Sequence, residues 1–184
     1  GGWITAWGSH HVDSAQWALG KDREAPVEVH ASGEFPQSGV FDTCRKWRID
    51  YRYADGTELT FATPNEAKGK MNVLIEGDDG WVCANRGAID AFPKSLLTVR
   101  PEPTGRPWPT DHFHDFVDAI REGREPCAPI EVAHLSTTLC HLGTIGVTLQ
   151  RPLRWDGARE RFIDDPAADR LLSRPMREPW SLRA

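Results

Sequence analysis

Apolar and polar positions change period along the chain, and the change divides it into three stretches. Between Trp3 and Gly20, the residues Ile4, Gly8, Val12, Ala15 and Leu19 recur at the spacing of one helix face, with Gly20 placed to end it. From Val27 to about Asn85 the period becomes two. Val27, Val29, Ala31 and Phe35 alternate with Glu28, His30 and Ser32, which predicts a strand. Trp47, Ile49, Tyr51 and Tyr53 alternate with Arg48, Asp50 and Arg52, and Asp55-Gly56 then turns the chain toward Leu59 and Phe61, which predicts a hairpin. A second hairpin is expected from Met71 to Glu76, through Gly77-Asp78-Asp79-Gly80, to Trp81–Asn85.

The proline-rich stretch from Pro93 to Pro109 reads as loop, with a short extended piece at Leu96 to Val99. Helical spacing then returns. Thr110 or Asp111 can cap a helix whose Phe113, Phe116, Val117 and Ile120 form one apolar stripe, ended by Gly123. Pro129 suits the first turn of a longer helix with a buried seam of Val132, Leu135, Leu139, Leu142 and Leu149. Asp165-Pro166 opens a last short helix near Ala167 to Leu172. Strands followed by helices predict one α+β domain over residues 1–184: an open, predominantly antiparallel sheet with helices packed on one face. The other face needs an explanation. Trp47, Tyr51 and Tyr53 either meet a subunit or domain there, or they are the core side and the arginine side is wet.

Composition narrows the function classes. The net charge is −5 with Lys and Arg scattered, which offers no field for nucleic acid. No apolar run in the sequence approaches the ~20 residues of a membrane span, and no secretory signal pattern stands at the N-terminus. No membrane partner is expected; the fragment should be soluble, cytoplasmic ahead of exported, and an export signal would precede residue 1. Cys44, Cys83, Cys127 and Cys140 form no CxxC pair and read as reduced structural thiols. The chain holds 8 Trp, and Trp3, Trp7 and Trp17 crowd one end, enough flat surface for a core, an interface or a sugar-stacking wall.

Candidate chemistry concentrates at Trp7-Gly8-Ser9-His10-His11-Val12-Asp13. Residues three and four apart are helix neighbours, so His10 and Asp13 can meet, and a carboxylate beside an imidazole favours its charged form. That is a general acid or base; the bland alternative is a partly buried histidine pair at a helix contact. Joint metal binding by His10, His11 and Asp13 is disfavoured, because adjacent helical residues point about 100° apart. His112 and His114 read as solvated or capping, and His134 and His141 as core or interface histidines.

The string Gly2-Trp3-Ile4-Thr5-Ala6-Trp7-Gly8-Ser9-His10-His11-Val12-Asp13, continued by Ala15-Gln16-Trp17-Ala18-Leu19-Gly20, resembles the start of the C-terminal domain in the Gfo/Idh/MocA dehydrogenases, roughly D-x-G-x-H-x-x-D. Tyr53-Ala54-Asp55-Gly56, Gly77-Asp78-Asp79-Gly80, Glu131-Val132-Ala133-His134, His141-Leu142-Gly143 and Arg177-Glu178-Pro179-Trp180 follow in the same order. The resemblance implies the substrate and oligomerisation half of an NAD- or NADP-dependent oxidoreductase acting on a sugar, polyol or related hydroxyl compound. The N-terminal Rossmann domain is expected as a separate partner, since no G-x-G-x-x-G follows a strand in this chain. Without it the fragment is expected to be inactive and to bind no cofactor; a homo-oligomer through the sheet face is expected. By the resemblance His10 is the catalytic residue and Asp13 orients it or the sugar; Trp7 and His11, beside them on the helix, are expected to bind substrate along with Asp13. Ala6 stands where the family has an aspartate. The competing expectation is a non-catalytic binding and assembly module on the same fold.

Overall fold

Where side chains alternate sides, the backbone can pair and bury one side; where they recur every three to four residues, it coils and buries a stripe. The computed structural model describes residues 1–63, 73–99 and 111–181 and follows this division. Helix α1 spans Gly2–Ala18. Strands β1 (Glu28–Glu34), β2 (Lys46–Arg52) and β3 (Glu58–Ala62) form an antiparallel meander, and β7 (Leu153–Asp156) and β8 (Arg161–Phe162) extend it on the far side of β1. The five strands run in the order β3-β2-β1-β7-β8. The second predicted hairpin is present as β4 (Val73–Gly77) and β5 (Gly80–Asn85), but with β6 (Ala88–Phe92) it makes a separate three-stranded sheet. Met71, the proline-rich stretch beyond Val99 and Thr110 lie outside the described residues.

Two expectations are corrected locally. Lys94–Thr98 is a 3-10 helix and not an extended piece, with Leu96 N–H donating to the Pro93 carbonyl at 3.1 Å. The last helix, α4, stops at Pro166–Asp169. Its start matches the reading, because the Asp165 carboxylate accepts from the Ala168 N–H at 3.1 Å.

Helix α3 spans Ile130–Leu149 and lies between α1 and the inner face of β1 and β2. Close approach requires small residues. A Cβ on Gly143 would stand 2.6 Å from the Tyr51 hydroxyl and 2.7 Å from Ile49 Cδ1, so glycine lets the helix axis come down onto the sheet. The Tyr51 hydroxyl donates to the Leu139 carbonyl at 2.8 Å, which satisfies a polar atom inside the core. Val29, Ile49, Tyr51, Leu139 and Val147 are fully buried here. Each such side chain contributes about 1.5–3 kcal/mol of transfer free energy.

This settles the sheet-face question. Trp47, Tyr51 and Tyr53 are buried beneath the chain's own helices, so they are the core face and leave no aromatic surface for a subunit. The free face is polar: Arg48 pairs with Asp50 at 2.8 Å, Thr60 donates to Asp50 at 2.6 Å, and Arg52 pairs with Glu58 at 3.2 Å. A sheet-mediated contact between copies would have to use those charges.

By length and composition α3 could cross a membrane, contrary to the reading that no such run exists. In this fold it is the core helix, with Leu139, Cys140, Leu142, Gly143, Gly146 and Val147 buried. Helix α2 (His112–Glu122) is built as expected, with the Asp111 carboxylate accepting from His114 N–H at 2.9 Å and Gly123 in the left-handed conformation at φ 64. Its orientation is the surprise: Asp115 and Ala119 are buried, while Phe113, Phe116, Val117 and Ile120 are exposed. Arg124 at 2.9 Å and the Cys127 N–H at 2.7 Å hold the Asp115 carboxylate.

Candidate functional site

Helix α1 carries the site because its two sides differ. Ile4, Gly8, Val12 and Gln16, each four apart, form the buried side against the core. Gly8 sits so near α3 that a Cβ would meet Cys140 Sγ at 2.6 Å. The helix is closed at its far end by Gln16, whose carbonyl accepts from Lys21 N–H at 2.7 Å and whose side-chain amide donates to the Lys21 carbonyl at 3.1 Å. Lys21 in turn reaches Glu24 and Asp55, both at 2.8 Å. The hydrogen bond from Lys21 holds the Asp55 carboxyl down at about 2.

At 100° per residue, His10 is rotated about 200° from Gly8 and so stands on the outer side. It is exposed, as are Trp3 and Trp17. Trp7 is half-buried and forms the hub of this side. Its ring stacks on Trp3 with centroids 5.8 Å apart and planes 2° from parallel. The His10 ring lies 5.9 Å from it and the His11 ring 5.6 Å, both tilted. From the turn between β5 and β6, the Arg86 guanidinium comes over the same indole at 5.7 Å, a cation–π distance. His11 Nδ1 is 3.2 Å from the Trp7 carbonyl, which fixes that ring along the helix.

Trp7, His10 and His11 are therefore brought together, and Asp13 is not. The Ser136 hydroxyl donates to the Asp13 carboxylate at 2.6 Å across the α1–α3 contact. Three residues along a helix leave a rotation of roughly 60°, which carries Asp13 away from His10 and toward α3. The histidines in ion pairs among the described residues are His30, His114 and His134, so the carboxylate pairing that the spacing allowed at His10 is not formed. Ala6, one turn before His10, is exposed on the same outer side and adds no polar group.

Sequence reasoning missed Ser136 and Arg86. Neither carries a local signal: Ser136 opens a run of three hydroxyl residues, Ser136-Thr137-Thr138, that nothing along the chain tells apart, and Arg86 is 79 positions past Trp7 in a turn. Elsewhere, His134 faces outward against Glu160 at 2.5 Å and His141 is exposed, so neither is a core histidine. His112 Nδ1 is 3.3 Å from Cys127 Sγ. Burial pushes the Cys140 thiol up to about 11 and raises that of Cys44, which keeps both protonated at neutral pH. Among the described residues no three His, Cys, Asp or Glu side chains converge as metal ligands.

Comparison with known proteins agrees with this geometry at the level of fold. The chain superposes on aldose-aldose oxidoreductase from Caulobacter crescentus, complexed with glycerol, with a TM-score of 0.58 at 18% identity, covering 80% of this chain and 45% of that one. It superposes on an NAD-binding protein from Listeria innocua with a TM-score of 0.56 at 15% identity, covering 84% and 48%. For the WlbA dehydrogenase from Bordetella pertussis, in complex with NADH and UDP-GlcNAcA, the values are 0.56 and 14%, with coverage of 82% and 44%. The chain thus spans less than half the length of these three proteins. Among curated proteins none matches by sequence. The sequence pattern of the oxidoreductase family's C-terminal alpha/beta domain matches residues 1–182, and the chain accordingly belongs to the Gfo/Idh/MocA oxidoreductases as their C-terminal domain.

Proposed function

We propose that this chain is the substrate-side domain of an NAD(P)-dependent oxidoreductase that acts on a hydroxyl of a sugar or polyol, with the nucleotide held by a separate Rossmann domain. The observation that carries the reading is the His10 ring: it stands on the open side of α1, beside an indole, with no carboxylate among the described residues paired to it. Three relatives are described as an oxidoreductase with glycerol, an NAD-binding protein and a dehydrogenase with NADH, which supports the class.

No glycine-rich phosphate loop occurs in the chain, and what α1 offers fits one wall of a shared site. The nicotinamide, when bound, supplies the hydride acceptor. His10 takes the proton from the substrate hydroxyl as its carbon is oxidised, and returns it in the reverse direction. Trp3 and Trp7 offer stacked indole faces on which the apolar side of a sugar ring can rest. His11, held by the Trp7 carbonyl, presents its second nitrogen to a further hydroxyl. Asp13 acts from behind: bound by Ser136, it ties α1 to α3 and so sets where His10 stands.

The test is His10→Gln in the full-length protein, assayed by NAD(P)H formation over a panel of sugars and polyols. The turnover number should fall by about 10²–10⁴ with substrate affinity little changed. Wild-type turnover with a loss below threefold in the variant would refute the role of His10.

A further inference from the structure

We infer that the substrate of this site carries an anionic group, a carboxylate on the sugar, and that Arg86 receives it. The inference rests on the proposed function and specifies its substrate class. Three observations lead to it.

Arg86 is presented deliberately. It sits at the tip of the β5–β6 turn, where the Asn85 side-chain oxygen accepts from the N–H groups of both Gly87 and Ala88, each at 2.9 Å. Those two bonds close the turn around Arg86 and aim its side chain from a fixed base, a geometry that Asn favours in turns. The guanidinium then lies over Trp7 at 5.7 Å.

Among the described residues Arg86 is also a cation without an anion. Although the chain is acidic overall at −5, and Arg48, Arg52, Arg124 and Arg151 each find a carboxylate, no described carboxylate comes within 4 Å of Arg86. The indole engages the guanidinium through its π face, but an indole ring accepts no in-plane hydrogen bond, and the exposed fork keeps its N–H donors open to a ligand that displaces solvent. A planar, bidentate acceptor is what they match, and a carboxylate has that shape.

Finally, Arg86 and His10 share one neighbour. Each is within 6 Å of the same indole, at 5.7 and 5.9 Å. A monosaccharide lying along the edge of Trp7, against the exposed Trp3 indole, can therefore offer a hydroxyl to His10 and an acidic substituent to Arg86 at once. The binding energy of the remote carboxylate then serves to place the reacting carbon, which is how a charged clamp contributes to turnover as well as affinity.

An anionic oxygen group could come from the nicotinamide dinucleotide instead, whose phosphates have the same appetite for arginine, so the experiment has separate arms. In the full-length protein, affinities are measured by calorimetry for matched pairs, glucose with glucuronate and galactose with galacturonate, and for NADH and NADPH, in wild type and in Arg86→Ala and Arg86→Lys. The expected result is that a uronate binds about tenfold or more tightly than its neutral partner. Arg86→Ala should remove that preference while leaving the neutral sugar and both nucleotides unchanged, and Arg86→Lys should restore part of it. Equal affinities within each pair in the wild type would overturn the inference while leaving the sugar-binding reading intact. A drop in NADH or NADPH affinity in Arg86→Ala, with uronates unaffected, would overturn it by assigning the cation to the cofactor. If neither member of either pair binds, the proposed function and this inference fall together.

Discussion

Helices α2 and α3 were both read from apolar residues at helical spacing, and they behave in opposite ways. In α3 the seam is buried at its middle, with Leu139 and Leu142 at 0% and 1% exposure, and half-buried at Val132, Leu135 and Leu149, because the helix has a sheet below it and α1 beside it. In α2 the stripe of Phe113, Phe116, Val117 and Ile120 faces outward, and the side turned inward carries Asp115 and Ala119. Period reports which residues share a face. It does not report what covers the face.

That contrast can be measured. Leu139→Ala should destabilise the chain by about 2–5 kcal/mol in chemical denaturation, since a closed core cannot fill the space. A loss under 1 kcal/mol would mean that α3 is not packed as described. Gly143→Ala should cost about 1–3 kcal/mol by forcing the helix off Tyr51 and Ile49, measured the same way. A neutral result would show that the helix and sheet have slack between them. At the small end, Phe116→Ala should change stability by no more than about 0.5 kcal/mol, as an exposed surface site does. A loss comparable to that of Leu139→Ala would show the stripe to be covered in solution, and the comparison would collapse.

Much of the fold was legible because burial and period coincide. Ile4, Gly8 and Val12 were placed on the inner side of α1 and are buried there, and the alternation from Trp47 to Tyr53 is the inner face of β2. Gln16 completes the buried row of α1 but, being polar, did not register. The strands β7 and β8 have no signature in the sequence: four and two residues long, they alternate too briefly to be distinguished from a turn, and β7 exists because β1 supplies an edge, β8 because β7 then supplies the next. Likewise Ile89 and Phe92 in β6 are exposed, so no clean alternation marks that strand.

For the site, sequence adjacency was enough to gather Trp7, His10 and His11, since one helical turn holds them all. It was not enough to assign partners. Helical spacing left Asp13 free to meet His10, and the decision went to Ser136, a residue 123 positions away that only the packing of α3 brings near. Arg86 reaches Trp7 through a turn of the other sheet, and a contact of that kind has no signature along the chain.

The notch at Gly8 has a consequence for how the imidazole can change. Its helix is seated at that point against a sulfur atom on α3, so the position of a group facing water is metered by a thickness on the dry side of the rod. One methyl added there, or an oxygen added to Cys140, would lift the whole rod and carry His10 outward without touching it. Variation at Gly8 or Cys140 is therefore a means of shifting that imidazole while every polar residue of the helix is kept.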